Sequence, residues 1–416
     1  MRLKLAALLR GDMSILSPTV CRTTPTLVML AIGSLVAETH AAAGSFQARQ
    51  QAADSLAQAR ALYLQNRVAE ALPIFQAVAT NEPNNAEAHA WLAEAARRLG
   101  QFDRAEETAR IAVRLVPCHA FAHNVLGDLY RPQVSPWDKV NADSAWAHLM
   151  RAVECDTTDP NPWASIWGEA ERRGDSSMER RAARRLVETG FITASVLAYS
   201  HWVLERLPKD AVLLTAGDLD TWGVLGVQTV ERFRTDVAVV NTWLLNLDWY
   251  PPLIGRRYGL PLPTLPPSAG DASEGIRSFW RAKSLDGTLP RSIAATAPQP
   301  AGPGQFAFAG SSWRLTERDS FADSSVIRRA FETLHGADLA LPAVSANDRS
   351  PVRRTKWIGY EVAVATAFRY ASMLDQQGQR AGAARTEAWA IDFGRRSGLA
   401  AGTVEMLRRF ASESGP

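Results

Sequence analysis

The sequence predicts an α plus α/β protein, in which helical repeats are followed by a small α/β domain and a C-terminal helical hairpin. Three observations predict this order. Residue types recur at a spacing of 34 between residues 52 and about 200, two apolar runs flank a helical stretch within residues 211–241, and helical spacing returns at 357–393. With 416 residues, of which 46% are hydrophobic, the chain is long enough for two or three domains with buried cores.

The first 43 residues have the pattern of an export signal. Basic residues come first, then a short apolar stretch at 27–37, then small residues at 41–43 that fit a cleavage site. The apolar stretch is too short to span a bilayer, so the sequence predicts an exported protein of the periplasm or cell envelope that is not an integral membrane protein. Two alternatives stay open, an uncleaved amphipathic leader and a true start at Met13.

The charge balance argues against one class of partner. The chain has 46 basic and 43 acidic residues, and loss of residues 1–42 brings it closer still to neutrality. No stretch concentrates lysine and arginine, so the sequence predicts no nucleic-acid partner.

Pairs of residues 34 positions apart mark the helical repeats. They are Asn66 and Gly100, Ala71 and Ala105, and Pro83 and Pro117. The first pair lies where the chain turns in a left-handed conformation between two helices, the small second pair lets the helices approach closely, and the prolines end the second helix. This pattern resembles the tetratricopeptide family over about 140 residues.

The resemblance extends to two less regular units. The third unit, residues 120–152, contains Gly127, Tyr130 and Ala145 and has an insertion at 131–137 between its helices. The fourth unit, residues 162–189, is degenerate and is expected to cap the array against the next domain.

Such an array implies a protein or peptide partner in the repeat groove, because stacked helix pairs form a concave surface. The alternative is that the repeats only pack on the neighbouring domain. His89 and His123 are also 34 residues apart, which favours packing or groove lining over a metal site.

Cys118 and Cys155 are the cysteines expected to remain after export, because Cys21 leaves with the leader. Each follows the second helix of one of two neighbouring repeats, so they could form a disulfide in an oxidising compartment. Two unpaired thiols are an equal alternative, since equivalent positions of stacked repeats are often too far apart to bridge.

Residues 211–250 predict a strand, a helix and a second strand. The apolar run 211–216 ends in the sequence GDLDT, and a second apolar run at 236–240 is closed by Asn241. The length fits one crossover between parallel strands and hence a small Rossmann-like α/β domain. Ligands of such sheets bind at the carboxyl ends of the strands, where the candidate ligand-binding residues gather: Asp218, Asp220, Thr221, Asn241, Asp248 and Trp249.

The carboxylates of Asp218 and Asp220 have two interpretations. They could hold a divalent cation or the hydroxyls of a sugar, with Asn241 orienting the ligand and Trp249 covering its apolar face. Alternatively, Asp220 or Thr221 is the N-cap of the following helix, whose dipole also favours the carboxylates. Capping alone explains an Asp and a Thr at this point.

Three aromatic residues, Trp243, Trp249 and Tyr250, follow the second strand. Their faces could stack on a sugar ring or an apolar ligand. The alternative, favoured for large aromatics beside a sheet, is that they pack against the crossover helix or the repeats.

The α/β segment resembles the soluble C-terminal region of a family of bacterial multi-spanning membrane proteins that are related to the protein O-mannosyltransferases and regarded as glycosyltransferases. The matching residues are Gly217-Asp218-x-Asp220-Thr221, Gln228, Val230-Glu231, Arg234, Asp236-Val237, Val239-Val240-Asn241 and Leu244-Leu245-Asn246-x-Asp248-Trp249-Tyr250. A looser likeness continues at 306–315 and in a helical pair at 357–393, where Tyr370, Gly378 and Ala384 fit a repeat-like hairpin.

Departures from that family limit what the resemblance implies. The family's membrane-embedded half is expected to carry glycosyl transfer, and a leader and helical repeats take its place here. Leu219 also replaces the usual Asn between the two aspartates. The resemblance therefore implies an exported relative of the soluble domain, accessory to glycan transfer or polymer export, with a glycan as a second partner.

The sequence favours a binding or scaffold protein over an enzyme. It has no dinucleotide fingerprint, phosphate loop, zinc-protease motif, nucleophile elbow or Cys-x-x-Cys pair. The competing hypothesis is a carboxylate-dependent carbohydrate-active enzyme or sugar-binding protein that uses the GDLDT loop. Apart from a divalent cation there, no cofactor is predicted.

The predicted domains are a signal peptide at 1–43, repeats at 44–205, the Rossmann-like domain at 206–345 and the helical hairpin at 346–416. Residues 261–303 are rich in Pro, Ser, Ala and Gly. This composition predicts an exposed excursion that ends before a strand at 305–309.

Overall fold

The computed structural model describes residues 50–132, 135–265, 271–317, 324–336 and 358–413. The chain divides into two units, Met1–Gln58 and Ala59–Pro416. Helical residues 50–64 form α1, and the boundary between the units falls within it. The predicted signal peptide lies outside the described residues, as does the stretch 337–357 that begins the predicted hairpin domain.

Helical repeats follow α1, as the 34-residue spacing predicts. Their helices are α2 (Val68–Asn81), α3 (Ala86–Arg98), α4 (Phe102–Leu115), α5 (Ala120–Tyr130), α6 (Ala142–Cys155), α7 (Asn161–Arg173) and α8 (Ser176–Glu188). Helices α3 and α4, α5 and α6, and α7 and α8 pack as consecutive pairs. The prediction of stacked helix pairs is therefore confirmed.

The residues that mark the repeats have the expected conformations. Asn66 and Gly100 have φ values of 62° and 75°, in the left-handed region. Ala71 and Ala105 are fully buried between helices. Gly127 belongs to the same close packing, since a Cβ atom there would lie 2.7 Å from Leu149.

The α/β part contains a five-stranded sheet with the order β2-β1-β3-β5-β4. The strands are β1 (Val212–Thr215), β2 (Ala238–Asn241), β3 (Ile293–Ala295), β4 (Gln305–Phe308) and β5 (Trp313–Thr316). Strand β1 pairs in parallel with β2 and with β3, whereas β5 is antiparallel to both β3 and β4. The predicted strand, helix and strand are thus part of a mixed sheet.

Helices cover both faces of this sheet, which explains why β1 and β2 are apolar up to their last residues, Thr215 and Asn241, rather than alternating. The helices are α9 (Ala194–Arg206), α10 (Asp218–Gly226), α11 (Tyr250–Tyr258), α12 (Ala272–Leu285), α13 (Ser324–Gly336), α14 (Ile358–Gln376), α15 (Arg380–Arg396) and α16 (Ala401–Glu413). On one face Leu213 and Val239 pack with α9, α10 and α13 to α15. On the other, Val212 and Val240 pack with α11 and α12.

The prediction of an exposed excursion at 261–303 is wrong. This stretch contains α12, whose Trp280 is fully buried, and β3, which lies in the middle of the sheet. Arg281 is buried too, with its guanidinium donating to the carbonyls of Pro300 and Pro303. Pro300 and Pro303 therefore supply carbonyl acceptors for a buried cation.

The described C-terminal residues hold a helix that the sequence analysis did not predict. Helices α14 and α15 are joined by three residues that include Gly378, whose φ is 76°. Helix α16 then packs back on α14. Among the described residues, no helix is long and apolar enough to cross a membrane.

Candidate functional site

The carboxyl ends of β1 and β2 meet at one edge of the sheet. Thr215, the last residue of β1, pairs with Asn241, the last residue of β2. Helix α10 begins just after β1, and the 3₁₀ turn Leu244–Asn246 leads from β2 into α11. The sequence-predicted candidate residues thus surround the same edge, as expected for an open α/β sheet.

Helix α10 begins earlier than the capping interpretation expects. Its first residue is Asp218 and its N-cap is Gly217, so that Asp220 is the third helical residue and neither Asp220 nor Thr221 is the N-cap. The helix starts immediately after the strand because Asp220 itself bonds back to the loop. The side chain of Asp218 lies outside the described residues.

Asp220 fastens the loop after β1. Its Oδ2 accepts the N–H of Ala216 at 2.8 Å and its Oδ1 accepts the N–H of Gly217 at 2.9 Å. The hydroxyl of Thr296, just past β3, also donates to Oδ2. With 6% of its surface exposed, Asp220 uses three of about four acceptor positions of its carboxylate on the protein itself.

The hydroxyl of Thr221 is hydrogen-bonded within the same turn. Its hydroxyl donates to the carbonyl of Gly217 at 2.6 Å and lies 2.6 Å from the hydroxyl of Thr215. Both threonines are buried. These contacts tie the first turn of α10 to the end of β1.

The residues from the end of β2 onwards divide into a buried and an exposed group. Asn241 is buried, and its Oδ1 accepts the N–H of Trp243 at 3.0 Å. The N–H of Asn241 donates to the Tyr250 hydroxyl at 3.0 Å. Trp249 is half-buried against Tyr250, whereas Asp248 is exposed and Trp243 has 73% of its surface exposed. Trp243 therefore packs neither on the crossover helix nor on the repeats.

A cleft of about 130 Å³ lies between the fourth repeat and this edge of the sheet. From the sheet side it is lined by Thr221, Trp222, Asn241, Trp249 and Tyr250. From the repeats it is lined by Arg131 and by residues of α7, including Ser165, Gly168 and Glu171. The structure thus brings Thr221, Asn241 and Trp249 together but adds repeat residues that the sequence analysis did not single out.

Arg131 reaches the cleft through a hydrogen-bonded network of the repeats. Its guanidinium donates to Ser165 at 3.0 Å and to Asp128 at 3.4 Å, and Ser165 donates to Asp128 at 2.5 Å. The sequence contained a signal for this network. Arg97, Arg131 and Ser165 follow one another at intervals of 34, and each arginine pairs with an acid three residues earlier.

Glu171 is joined to the α/β part by a buried ion pair. Its carboxylate accepts from Arg257 of α11 at 3.0 Å, and Arg257 also donates to Glu179 of α8 at 2.8 Å. Burial raises the pKa of Glu171 to about 7, against a smaller lowering by Arg257. The pKa of Glu179 is also raised by burial.

Some residues of the family resemblance lie outside the cleft, and their hydrogen bonds connect neighbouring elements of the fold. Gln228 donates to the carbonyls of Arg234 and Val237 at 2.7 and 2.9 Å. Arg234 donates to three carbonyls at the end of α9, those of Leu204, Leu207 and Pro208, and to both oxygens of Asp236. These bonds from Arg234 hold the pKa of Asp236 well below its usual range.

We expect Arg234→Lys to lower the free energy of unfolding by about 2 kcal/mol, because an ammonium cannot reproduce the five bonds of the planar guanidinium. Urea denaturation would measure the change. The matched control is Arg232→Lys, since Arg232 is exposed two residues away. Equal stability of the two variants would show that the α9 carbonyls do not depend on this side chain.

His89 and His123 have the same role in successive repeats. The Nε2 atom of His89 lies 3.0 Å from the carbonyl of Pro83, and that of His123 lies 3.2 Å from the carbonyl of Pro117. The prediction of packing is therefore consistent with these contacts. In the part of the chain that the structure describes, no group of three or more His, Cys, Asp or Glu residues could hold a metal ion.

Cys118 and Cys155 form a disulfide with a Cα separation of 5.2 Å. Cys118 follows α4 and Cys155 is the last residue of α6, so the bond joins the second helices of successive repeats. It closes a loop that contains all of α5 and the insertion.

Two family models match parts of the chain. The one described as a tetratricopeptide repeat matches residues 56–130, and the one described as TMEM260-associated domain 2 matches residues 196–257. The second match runs from α9 to α11 and contains the Arg234 bonds and the sheet side of the cleft. No curated protein matches the chain. The relation to protein O-mannosyltransferases stays a prediction.

Two solved structures are similar to the chain over long stretches. The MamA protein is 14% identical, with 52% of this chain and 98% of that chain covered and a TM-score of 0.29. A mutant O-GlcNAc transferase of Thermobaculum terrenum is 13% identical, with 87% and 92% covered and a TM-score of 0.30. At scores this low, neither likeness bears on function.

Proposed function

We propose that this protein is an exported scaffold that binds a peptide segment of a partner protein along the first helices of its repeats. Tetratricopeptide repeats are a protein-binding architecture. The observation that carries the proposal is a strip of polar and aromatic side chains left open on these helices. We call it the repeat groove, and it consists of Arg60, Glu87, Trp91, Arg98, Phe121 and Asp128.

The repeat groove is continuous because the first helices lie side by side. Helix α3 packs against α5, and α5 packs against α7. On α3, Glu87, Trp91 and Arg98 share one face at helical spacing. The opposite face of α3 is filled with fully buried alanines such as Ala93 and Ala96. A partner can therefore contact only this face of the helix.

Trp91 provides an apolar anchor point at the centre of the repeat groove. Its ring lies 4.6 Å from that of Phe121, and the Arg60 guanidinium lies 5.0 Å above it. Its Nε1 donates to Glu87 at 2.9 Å, which holds the indole in place. Tryptophan and arginine dominate the binding energy of many interfaces because they combine area with directed polar contacts. An extended peptide with one apolar side chain between polar residues fits this arrangement.

Charge reversal in the repeat groove tests the proposal. We expect the double variant Glu87→Lys, Arg98→Glu to weaken capture of partners at least about tenfold, because it inverts both charges beside Trp91 without altering the net charge. The measurement is quantitative capture from cell-envelope extracts, followed by titration of the recovered partner.

The matched control is Glu107→Lys, Arg114→Glu on α4. Both residues are exposed, lie on a second helix and carry the same pair of charges. If partner binding weakened equally in the two double variants, or weakened in neither, the repeats would serve only to pack on the α/β part.

We also propose that the protein is exported to the periplasm or cell envelope, where it assists glycan transfer or polymer export. The leader pattern at 1–43 supports export, and a disulfide in the repeats is consistent with an oxidising compartment. The glycan role rests on the family resemblance alone. Fractionation of cells should place the processed chain outside the cytosol, and recovery of the full-length chain in the cytosol would contradict export.

The proposed functional parts are the leader at 1–43, the repeats at 44–205, a Rossmann-like domain at 206–345 and a C-terminal helical hairpin region at 346–416. The parallel pairing of β1 with β2 and β3 supports the Rossmann-like assignment. The short connection between α14 and α15 supports the hairpin. Helix α9 links the first two parts, because its buried Tyr199 and Val203 belong to the core under the sheet.

A further inference from the structure

We propose that the outer surface of α8, together with the groove between α6 and α8, binds an extended acidic segment of a partner protein that carries one apolar side chain. We call the surface the arginine face, and it consists of Arg180, Arg181, Arg184 and Arg185. It lies on a second helix of the repeats, whereas the repeat groove lies on first helices. The proposal therefore concerns a separate docking surface and does not depend on the repeat groove.

Helix formation gathers these arginines on one side of α8. In the run 180–185, two pairs of arginines flank two alanines that are fully buried against the other repeat helices. Because a helix has 3.6 residues per turn, burial of both alanines turns the arginines outward. Arg185 is half-buried, and the other three arginines are exposed. A chain that is close to neutral overall thus has a strongly basic surface at this helix.

Two of the guanidinium groups lack a partner carboxylate. In the described part of the chain, the side chains of Arg181 and Arg184 form no ion pair and no hydrogen bond. Neighbouring unpaired cations raise the local positive potential, and a carboxylate can bind a guanidinium through two parallel hydrogen bonds. The arginine face therefore favours an anionic partner. The acids that border it are already paired, Glu188 with Arg185, Glu179 with Arg257 and Glu154 with Arg151.

The groove beside the arginine face has an apolar lining. Met150 and Val153 of α6, Trp163 of α7 and Arg181 of α8 line it. Met150 is half-buried, and Val153 and Trp163 have only 5% and 2% of their surfaces exposed, so the apolar part is recessed between the helices. The Arg181 guanidinium lies 5.4 Å from the centre of the Trp163 ring, at the border between charge and groove. A single side chain can enter this recess, whereas a flat lipid surface cannot.

The spacing of the arginines fits an extended segment. Residues one turn apart on a helix, such as Arg180 and Arg184, are separated by about 6 Å along the axis. Alternate residues of an extended chain are about 6.6 Å apart and point to the same side. A segment with acids at alternate positions can therefore place successive carboxylates against α8. The residue between them then points the other way, toward α6 and the groove.

Fluorescence anisotropy on the purified chain tests the proposal. The probe is a fluorescein-labelled heptapeptide with glutamate at each odd position, leucine at the centre and serine elsewhere. We expect the wild type to bind it with an affinity better than millimolar. Arg181→Glu with Arg184→Glu should weaken binding at least about tenfold, because two unpaired cations become anions. Replacing the leucine of the probe by serine should weaken binding to the wild type about fivefold, because the groove loses its apolar ligand.

The matched control is Arg380→Glu with Arg385→Glu on α15. Both residues are exposed, and the pair of substitutions changes the net charge by the same amount on another helix. This variant should bind the probe as the wild type does. The repeat-groove variant Glu87→Lys, Arg98→Glu should also bind it unchanged, which separates failure of this inference from failure of the proposed function.

Four results would overturn the proposal. The probe does not bind the wild type, the variant of the arginine face binds it as well as the α15 control does, the serine-centred probe binds as well as the leucine-centred one, or the repeat-groove variant loses the probe. Preferential binding of phosphatidylglycerol vesicles over the probe would also overturn it, because the arginine face would then serve a membrane surface instead of a protein segment.

Discussion

Replacement of both Cys118 and Cys155 by serine should lower the free energy of unfolding by about 4 kcal/mol, because it releases a loop constraint in the unfolded chain. The two residues are 37 apart in sequence, and restricting a loop of that length removes considerable entropy from the unfolded state. Little packing is lost, since Cys118 is exposed and Cys155 is half-buried. Guanidinium denaturation of the oxidised wild type and the double variant would measure the difference.

Reduction provides the control for this experiment. The wild type in excess reductant should have the stability of the serine variant, and the serine variant should not respond to reductant. A change below about 1 kcal/mol would mean that α4 and α6 are held in register by helix packing alone, and that the disulfide adds no constraint.

Glu171→Gln should remove about 2 to 3 kcal/mol of pH-dependent change in stability between pH 5 and pH 8, as expected for a pKa that folding raises from 4.5 to about 7. Burial raises the pKa of Glu171 from 4.5 to about 7 in the folded protein. The folded state therefore binds the proton more tightly than the unfolded state. The stability contributed by protonated Glu171 is fully present below pH 4.5 and is lost as the pH rises through about 7. The glutamine variant lacks this loss.

Denaturant unfolding of the wild type and of Glu171→Gln would be measured at both pH values. The quantity compared is the difference in unfolding free energy between the two proteins at each pH. Titrating groups that do not interact with Glu171 are common to both proteins and cancel in that difference, whereas Glu179 shares Arg257 with Glu171. The control is Glu154→Gln, which removes an exposed carboxylate of α6. If Glu171→Gln behaved in the same way, the Arg257 pair would keep Glu171 ionised throughout.

The result would also show how firmly the repeats are attached to the α/β part. Arg257 of α11 joins Glu171 of α7 and Glu179 of α8, so one guanidinium spans the two parts. Above pH 7 an ionised Glu171 shares the guanidinium with Glu179, and below that pH Glu171 carries a proton. The cleft lies beside Glu171, so a change in this attachment would alter the cleft as well.

Features that depend on short stretches of chain could be predicted from the sequence. Asn66 and Gly100 adopt the left-handed turns expected of them because a helix pair needs that conformation at one defined position. Strands β1 and β2 were predictable because each is a largely apolar run of strand length and a helical stretch connects them. The clustering of Thr221, Asn241 and Trp249 followed from the rule that parallel strands end at one edge.

Contacts between residues that are distant in sequence became visible only in the folded structure. Strand β3 has three residues, too few for any pattern to appear, and it is a strand because β1 and β5 pair with it. Asp220 fits both a ligand and a cap in the sequence, and the hydroxyl of Thr296, 76 residues away, joins two backbone N–H groups in binding its carboxylate to the fold.

The repeat side of the cleft shows the same division between local and distant information. The 34-residue spacing of Arg97, Arg131 and Ser165 was visible in the sequence, but nothing in that spacing indicated that the network ends beside the sheet. Glu171 and Arg257 are 86 residues apart, and the residues next to either one in sequence do not predict that the two form an ion pair. Packing of the two parts brings Glu171 and Arg257 together and buries Glu171, and this burial raises its pKa. Burial is a property of the assembled fold rather than of any one segment.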